Sequence, residues 1–422
     1  MRNILRTYKG LEKHILFIII AELFIQLINA SFLLILNIYM SKEGYADYKI
    51  ADFVSYRFLG VLSLAFPLGL YIRGRRLKPL FIAATIGLPA VSLIMLQAVY
   101  YHWDIILYIS LTFWGIFFTC IQVTLLPFIL RNCKTELQSE AISLNYAMWS
   151  VSTIFSGLCI YVFSIIDPLK FNEKFLLELF CILSFAGVWF VYKVDVKEKV
   201  VEQQGKRLRL NNFDWLLISK ALIPTLIIAV GAGLSIPFLN LFFFSVHHID
   251  SDRFSFLGSV SAVFVTLGAI IIPHIKRKYG YAVAITWCQA IAVVALMLLA
   301  STDFYSNWSF AAGVAVLCFL IRQPLMNMAA PMTSELVMGY VGERNQEMMS
   351  ALTSAIWSGS WFISARIFKM LRESGISYGY VFLTTAIIYA IGVLWYHFLI
   401  KDYERRLEKE VILIRTNEKD SL

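Results

Sequence analysis

Charge is scarce in this 422-residue chain. Asp, Glu, Lys and Arg together make up 15% of it, against about a quarter in a soluble protein. That excludes a water-facing surface of ordinary size. Histidine and cysteine are also few, six of each, with no CxxC pair. This removes a disulfide framework and a zinc knuckle. Cys120, Cys159, Cys181, Cys288 and Cys318 fall inside apolar stretches and Cys133 at a helix end, so they read as small packing residues. No Walker or GxGxxG loop is present, which argues against ATP-driven pumping and leaves no cofactor expected. His14, His102, His247, His248, His274 and His397 are scattered, and no paired His/Asp/Glu cluster marks a membrane enzyme. The run His247-His248-Ile249-Asp250-Ser251-Asp252 has no further ligand set at fixed spacing, so no metal is expected. No cleavable signal is expected either: the first apolar span lacks a small-residue cleavage site and runs too long.

What the chain has in abundance is apolar surface, 59% of residues. Runs of about 20 apolar residues are the length that crosses a bilayer as helix. They fall near 15–40, 50–72, 79–100, 104–130, 138–163, 175–192, 215–245, 254–275, 281–301, 308–333, 348–370 and 378–400. The net charge of +9 does not indicate nucleic acid, because the basic residues sit between the spans. Of the Lys and Arg in the connections, 26 fall on one side and 7 on the other. By the positive-inside rule both termini are cytoplasmic and the span count is even. The expectation is an all-α integral membrane protein of twelve transmembrane helices in the cell inner (plasma) membrane.

Residues 193–214 form the longest polar connection and fall halfway along the chain. The expected organisation is therefore 1–192, a linker 193–214, 215–400 and a charged tail 401–422. A near-constant offset relates the two halves. Leu36-Asn37-Ile38-Tyr39 matches Leu239-Asn240-Leu241-Phe242 at 203 residues, and Pro127 matches Pro331 at 204. Ala147-Met148-Trp149-Ser150 matches Ala355-Ile356-Trp357-Ser358 at 208. Two pseudo-symmetric six-helix bundles follow, a known transporter arrangement.

The connection after the second span, from Gly69 through Arg73, Gly74, Arg75 and Arg76, resembles the GxxxDRxGRR loop of the major facilitator superfamily. Lys276-Arg277-Lys278 after the eighth span resembles its counterpart, and Gly231 to Asn240 resembles seventh helices of bacterial members. The resemblance covers essentially the whole chain. It implies alternating access by rocking of two halves, with Gly69, Arg73, Gly74, Arg75, Arg76, Lys276 and Lys278 as gating residues. The acidic residue of the loop motif is missing here, and the fifth span lacks the Gly-Pro signature of drug/proton antiporters.

Ionisable groups at mid-bilayer are costly and few. In the first span Glu22, Gln26, Asn29 and Asn37 fall near one stripe. Glu22 is the candidate for proton coupling, against a structural hydrogen bond or ion pair. Arg322 and Gln323, beside Pro324 and Asn327, lie near the middle of the tenth span, and a permanent cation there needs an anionic partner. Arg57 and Arg366 suggest an outer basic vestibule, or else pairing with Asp52 or Glu373. Gln122, Asn145 and Asn240 are further cavity candidates, as is Trp357; Gln289 reads as a bond between helices. The expected function is secondary transport of a small solute, anionic or zwitterionic, with protons as the candidate coupling ion. Efflux of hydrophobic or lipid-like compounds is the alternative. The chain is expected to act as a monomer.

Overall fold

The computed structural model describes residues 10–72, 75–134, 137–196, 213–342 and 345–420. Among them there are helices and connections but no strand. This is what a bilayer demands, since a helix satisfies its own backbone groups where no water can.

Helix α1 (Lys13–Lys42) is followed by α2 (Asp47–Tyr71), α3 (Lys78–Tyr100), α4 (Asp104–Asn132), α5 (Gln138–Ile166) and α6 (Glu173–Tyr192). Then come α7 (Trp215–His247), α8 (Ser251–Tyr281), α9 (Cys288–Ser301), α10 (Ala311–Val341), α11 (Gln346–Glu373) and α12 (Tyr378–Asp420). Ten helical stretches are long and apolar enough to cross a membrane. One of these ten runs from Ser251 to Tyr305 and is broken at Gly280, whose φ of 78° only glycine adopts without strain. Helix α11 is not among the ten; it carries Ser350, Thr353, Ser354, Ser358, Ser360 and Ser364.

Successive helices run in opposite directions. The near end holds the start of α1, the end of α6 and the start of α7; the far end holds the α1–α2 and α7–α8 turns. At the far end, Asn172 and Asp250 cap α6 and α8 by accepting from the backbone N–H of Phe175 and Ser251. Asp214 caps α7 at the near end in the same way. Exposed aromatic side chains mark both ends: Tyr101, Trp103 and Trp308 at the far end, Trp189, Tyr192 and Trp215 at the near end. Amphipathic rings favour those levels of a bilayer.

The packing repeats along the chain. Helix α1 lies against α5 and α6, as α7 lies against α11 and α12. Helix α4 lies against α2 and α3, as α10 lies against α8 and α9. Single bonds repeat as well: Ser156 Oγ donates to the Leu27 carbonyl, and Ser364 Oγ donates to the Val230 carbonyl. The two sets, α1–α6 and α7–α12, meet mainly where α5 lies on α8 and α2 on α11.

Small residues permit the closest approaches. A Cβ on Gly60 would lie 2.1 Å from the Thr112 carbonyl oxygen, and one on Gly115 equally close to that of Arg57, so α2 and α4 touch backbone to backbone. Helix α12 continues past the expected span boundary to Asp420. Tyr340 of α10 donates to Asp402 and stacks beneath Arg406, which ties this extension to the second set.

Candidate functional site

Two prolines shape α10. Pro324 and Pro331 have no N–H for the carbonyls of Leu320 and Asn327, which frees those oxygens at mid-helix. Next to Pro324, Arg322 is fully buried. Its Nη1 donates to Gln323 Oε1 at 2.8 Å, and its Nη2 lies 3.3 Å from Ser235 Oγ and 3.5 Å from the Tyr389 hydroxyl. Its Nε has no partner. All of these partners are neutral. Arg322 lines a cavity of about 310 Å³ with Gln289, Gln323, Asn327, Trp357, Tyr389 and others, none of them acidic.

A second cavity, also about 310 Å³, lies in the first set. Glu22, Gln26, Gln122, Asn145, Tyr146 and Trp149 line it. Glu22 is buried, nine residues into α1, and one carboxylate oxygen has no partner. The other accepts from Gln26 Nε2 at 2.6 Å; Gln26 Oε1 accepts from Asn29 Nδ2 at 2.9 Å; Asn29 Oδ1 accepts from Arg57 Nη2 at 2.6 Å. Every amide in this row accepts from the Arg57 side and donates toward Glu22. The Arg57 guanidinium stacks over Trp114, 3.8 Å from the ring centre.

A smaller cavity of about 60 Å³ borders both. It shares Gln323 and Ile236 with the first and Trp149 with the second. The larger cavities extend from mid-helix toward the near end, through Met338 on one side and Ile129 and Ile142 on the other.

The far end is closed. Both helices that meet there are irregular, and one asparagine from each uses the other's freed carbonyl. A π-turn interrupts α1 at Phe32–Leu36, and a 3₁₀ turn interrupts α7 at Ile236–Phe238. The Leu241 N–H turns to Asn240 Oδ1. The Pro237 carbonyl, which this N–H would reach in a regular helix, accepts from Asn37 Nδ2 at 2.6 Å. Asn240 Nδ2 lies 3.2 Å from the Leu33 carbonyl, and Asn37 also donates to Asn240 Oδ1.

Ion pairs ring this clasp. Asp52 accepts from Arg366, from Lys369 at 3.0 Å and from the Tyr108 hydroxyl at 2.8 Å. Asp47 accepts from Arg372 at 2.9 Å and Tyr378 at 2.8 Å. Lys42 bridges Glu173 and Asp250, both at 2.6 Å. Burial works against ionising Asp250, but hydrogen bonds from Lys42 and Ser251 outweigh it and hold its pKa below the usual carboxylate range. Its contribution to closure is thus present above that range and is lost only as pH falls through the lowered value. Among the described residues, the hydrogen bonds and ion pairs between the two sets all lie in the far half.

At the near end the bonds of Arg131, Lys276 and Glu12 each stay within one set. Arg131 donates to the carbonyls of Ile72 and Arg75. Lys276 pairs with Glu335. Glu12 accepts from the Lys134 N–H; burial opposes its charge, and backbone hydrogen bonds hold its pKa below normal. Gly69 has open space around it, Arg75 lies over Tyr71, and Lys278 lies over Tyr279. Arg76 is exposed. Arg73 and Gly74 lie outside the described residues.

No known family model matches this sequence, and no curated protein does. Solved structures do. A mutant form of the nucleoside transporter NupG superposes with a TM-score of 0.70 at 15% identity, over 92% of this chain and 99% of that one. The xylose transporter XylE from E. coli, in an inward open conformation, gives 0.71 at 13% identity, over 90% and 95%. A POT family transporter in complex with a thioalcohol-conjugated peptide gives 0.73 at 12% identity, over 92% and 96%. This chain has the major facilitator fold.

Within that fold the structure groups the expected polar residues in three places. Arg322, Gln323, Asn327 and Trp357 share one cavity with Gln289. Glu22, Gln26, Gln122 and Asn145 share the other. Asn29 sits between Gln26 and Arg57, and Asn240 belongs to the clasp with Asn37. Arg57 and Arg366 point to different partners, Asn29 and Asp52. Ser235, Tyr389, Thr225 and Tyr396 were not singled out in the sequence, because single hydroxyls in apolar helices carry no pattern. Among the described residues no three His, Cys, Asp or Glu gather as a metal site.

Proposed function

We propose that this protein is a secondary transporter of a small solute, with the Arg322 and Glu22 cavities as one central site. The observation that supports this best is the asymmetry of closure: ion pairs and the asparagine clasp seal one end, while the two cavities run toward the other. That is one half of an alternating-access cycle, in which two bundles rock about a fixed site. Residues 1–192 and 215–400 form the two six-helix halves, 193–214 links them, and 401–422 is the tail. The repeated helix packing supports this division and a count of twelve crossings, with the Ser251–Tyr305 run crossing twice and α11 crossing as a polar, partner-covered helix.

The positive-inside bias supports a cytoplasmic near end and cytoplasmic termini, and the inner (plasma) membrane is the location adopted with it. The state described is then open to the cytoplasm. Solved relatives of the fold include proteins named as a nucleoside transporter and a D-xylose–proton symporter, and proton-driven movement of a small metabolite is the reading adopted here. Glu22 carries the coupling proton, because it is a buried carboxylate with a free oxygen in the cavity.

Proteoliposomes loaded with a mixture of small metabolites, and given a pH gradient, test this. Mass spectrometry of the external medium should show at least one solute redistributing faster than in protein-free vesicles, and faster with the gradient than without. Movement of none overturns transport. Glu22→Gln should keep solute exchange and lose the response to the gradient; an unchanged response removes Glu22 from coupling.

A further inference from the structure

Leaving aside the charged extension of α12 from Lys401 onward, three Asp, Glu, Lys or Arg side chains lie nine or more residues from either end of their helices among the described residues: Glu22, Arg57 and Arg322. Each is costly to hold there unless its charge is answered. Two of them answer each other. The row Arg57–Asn29–Gln26–Glu22 is four side chains long, and every bond in it is oriented from cation to anion. The two side-chain amides pass the field of the guanidinium to the carboxylate, and Trp114 covers the cation's face. No carboxylate answers Arg322, whose guanidinium lies over the Tyr389 ring at 5.7 Å. Its partners are a side-chain amide and two hydroxyls, the two hydroxyls at long range, and its Nε is bare. With Glu22 ionised, the embedded region among the described residues therefore carries one uncompensated positive charge, and it sits on the wall of a cavity.

The rest of that cavity describes what fits. Gln323, Asn327 and Tyr389 place polar atoms near the guanidinium, and Ile228, Met326 and Trp357 add apolar surface. The guanidinium is a planar fork that matches a carboxylate or phosphate bidentately. We propose that the occupant of this site is a monoanion with a single anionic head on an apolar body, the head bound by Arg322. This rests on the transport reading and narrows it: a zwitterion would leave Arg322 answered but bring a second cation toward a carboxylate already compensated by Arg57. The same chemistry is offered by a small organic acid and by an anionic lipid headgroup.

The full chain in phosphatidylcholine nanodiscs tests this with three isosteric probes: benzoate, benzamide and benzamidinium. Thermal midpoint and quenching of Trp357 fluorescence, against a Trp357→Phe control, report binding, since a ligand of the folded state raises its stability. Benzoate should stabilise the protein and quench Trp357, and the other two should do neither. Arg322→Gln should weaken benzoate by at least about tenfold. Arg322→Lys, which keeps the charge and loses the fork, should fall between, and it decides the matter if the glutamine variant does not fold. Phosphatidylglycerol added to the nanodiscs separates the two sources: displacement of benzoate identifies a lipid headgroup, and its absence a free organic anion. Equal binding of benzoate and benzamide, or unchanged benzoate binding in both Arg322 variants, overturns the inference. Such a result would leave solute movement in the gradient assay untouched, so failure here and failure of transport are separate outcomes.

Discussion

Asp52→Asn is expected to open the far end. Asp52 on α2 holds two cations of α11, Arg366 and Lys369, and its own side chain is only 12% exposed. Asparagine keeps the size and the acceptor for Tyr108 but removes the charge. The two cations, neighbours on α11, then face α2 with no charge opposite them. Removing one partner of a buried, hydrogen-bonded charge pair costs about 2–5 kcal/mol. Arg366 is partly exposed, at 36% of its side chain, so water screens it and the lower figure applies. About 2 kcal/mol is roughly a 30-fold shift in the ratio of far-closed to far-open molecules. Spin labels at Leu169→Cys and Trp308→Cys, both exposed in far-end connections of opposite sets, read this as a distance distribution once the native cysteines are replaced. The longer distance should grow at the expense of the shorter. Asp402→Asn removes a carboxylate that pairs with Arg406 and Tyr340 inside one set, and should leave the distribution unmoved. An identical response to both substitutions would show that Asp52 is not a latch.

The sequence makes the frame of this molecule legible for a physical reason. Bilayer thickness, the cost of embedded charge and the positive-inside bias all act on composition, and composition is visible without a structure. The offset near 203 is likewise legible, and it has a structural meaning. Asn37 and Asn240 are the two copies of one position, and they bind each other across the far end. The stripe Glu22–Gln26–Asn29 was readable from helical spacing, and the structure turns it into a bonded row ending on Arg57. Which embedded cation has a partner was not readable. Arg57 and Arg322 look alike in sequence, each a lone arginine in an apolar span. Only the fold brings Asn29 to one and leaves the other with amide and hydroxyl neighbours. The far-end latch was half visible: Asp52 was a named alternative partner for Arg366, while Asp47, Arg372 and the Lys42–Asp250 bridge depend on contacts some 200 residues or more apart.

Two glycine positions of equal crowding should respond to valine in opposite ways, and the difference isolates the moving interface. A Cβ on Gly157 of α5 would lie 2.1 Å from Ser259 Oγ and 2.4 Å from the Ser255 carbonyl oxygen, both on α8 of the other set. A Cβ on Gly115 of α4 would lie 2.1 Å from the Arg57 carbonyl oxygen on α2 of the same set. Overpacking a close contact costs about 1–3 kcal/mol, and more where backbone is the obstacle. For Gly115→Val there is no second arrangement in which α2 and α4 part, so the cost falls on folding and the thermal midpoint should drop by several degrees. For Gly157→Val the sets can separate at the far end, so the cost falls on the closed state alone. The label pair at residues 169 and 308 should then report mostly far-open molecules, with a thermal midpoint near that of the parent. In that variant the near end closes as the far end opens, and benzoate added from the near side should bind more slowly. If Gly157→Val instead melts the protein as Gly115→Val does, α5 and α8 form a fixed seam, and the two sets do not rock about it.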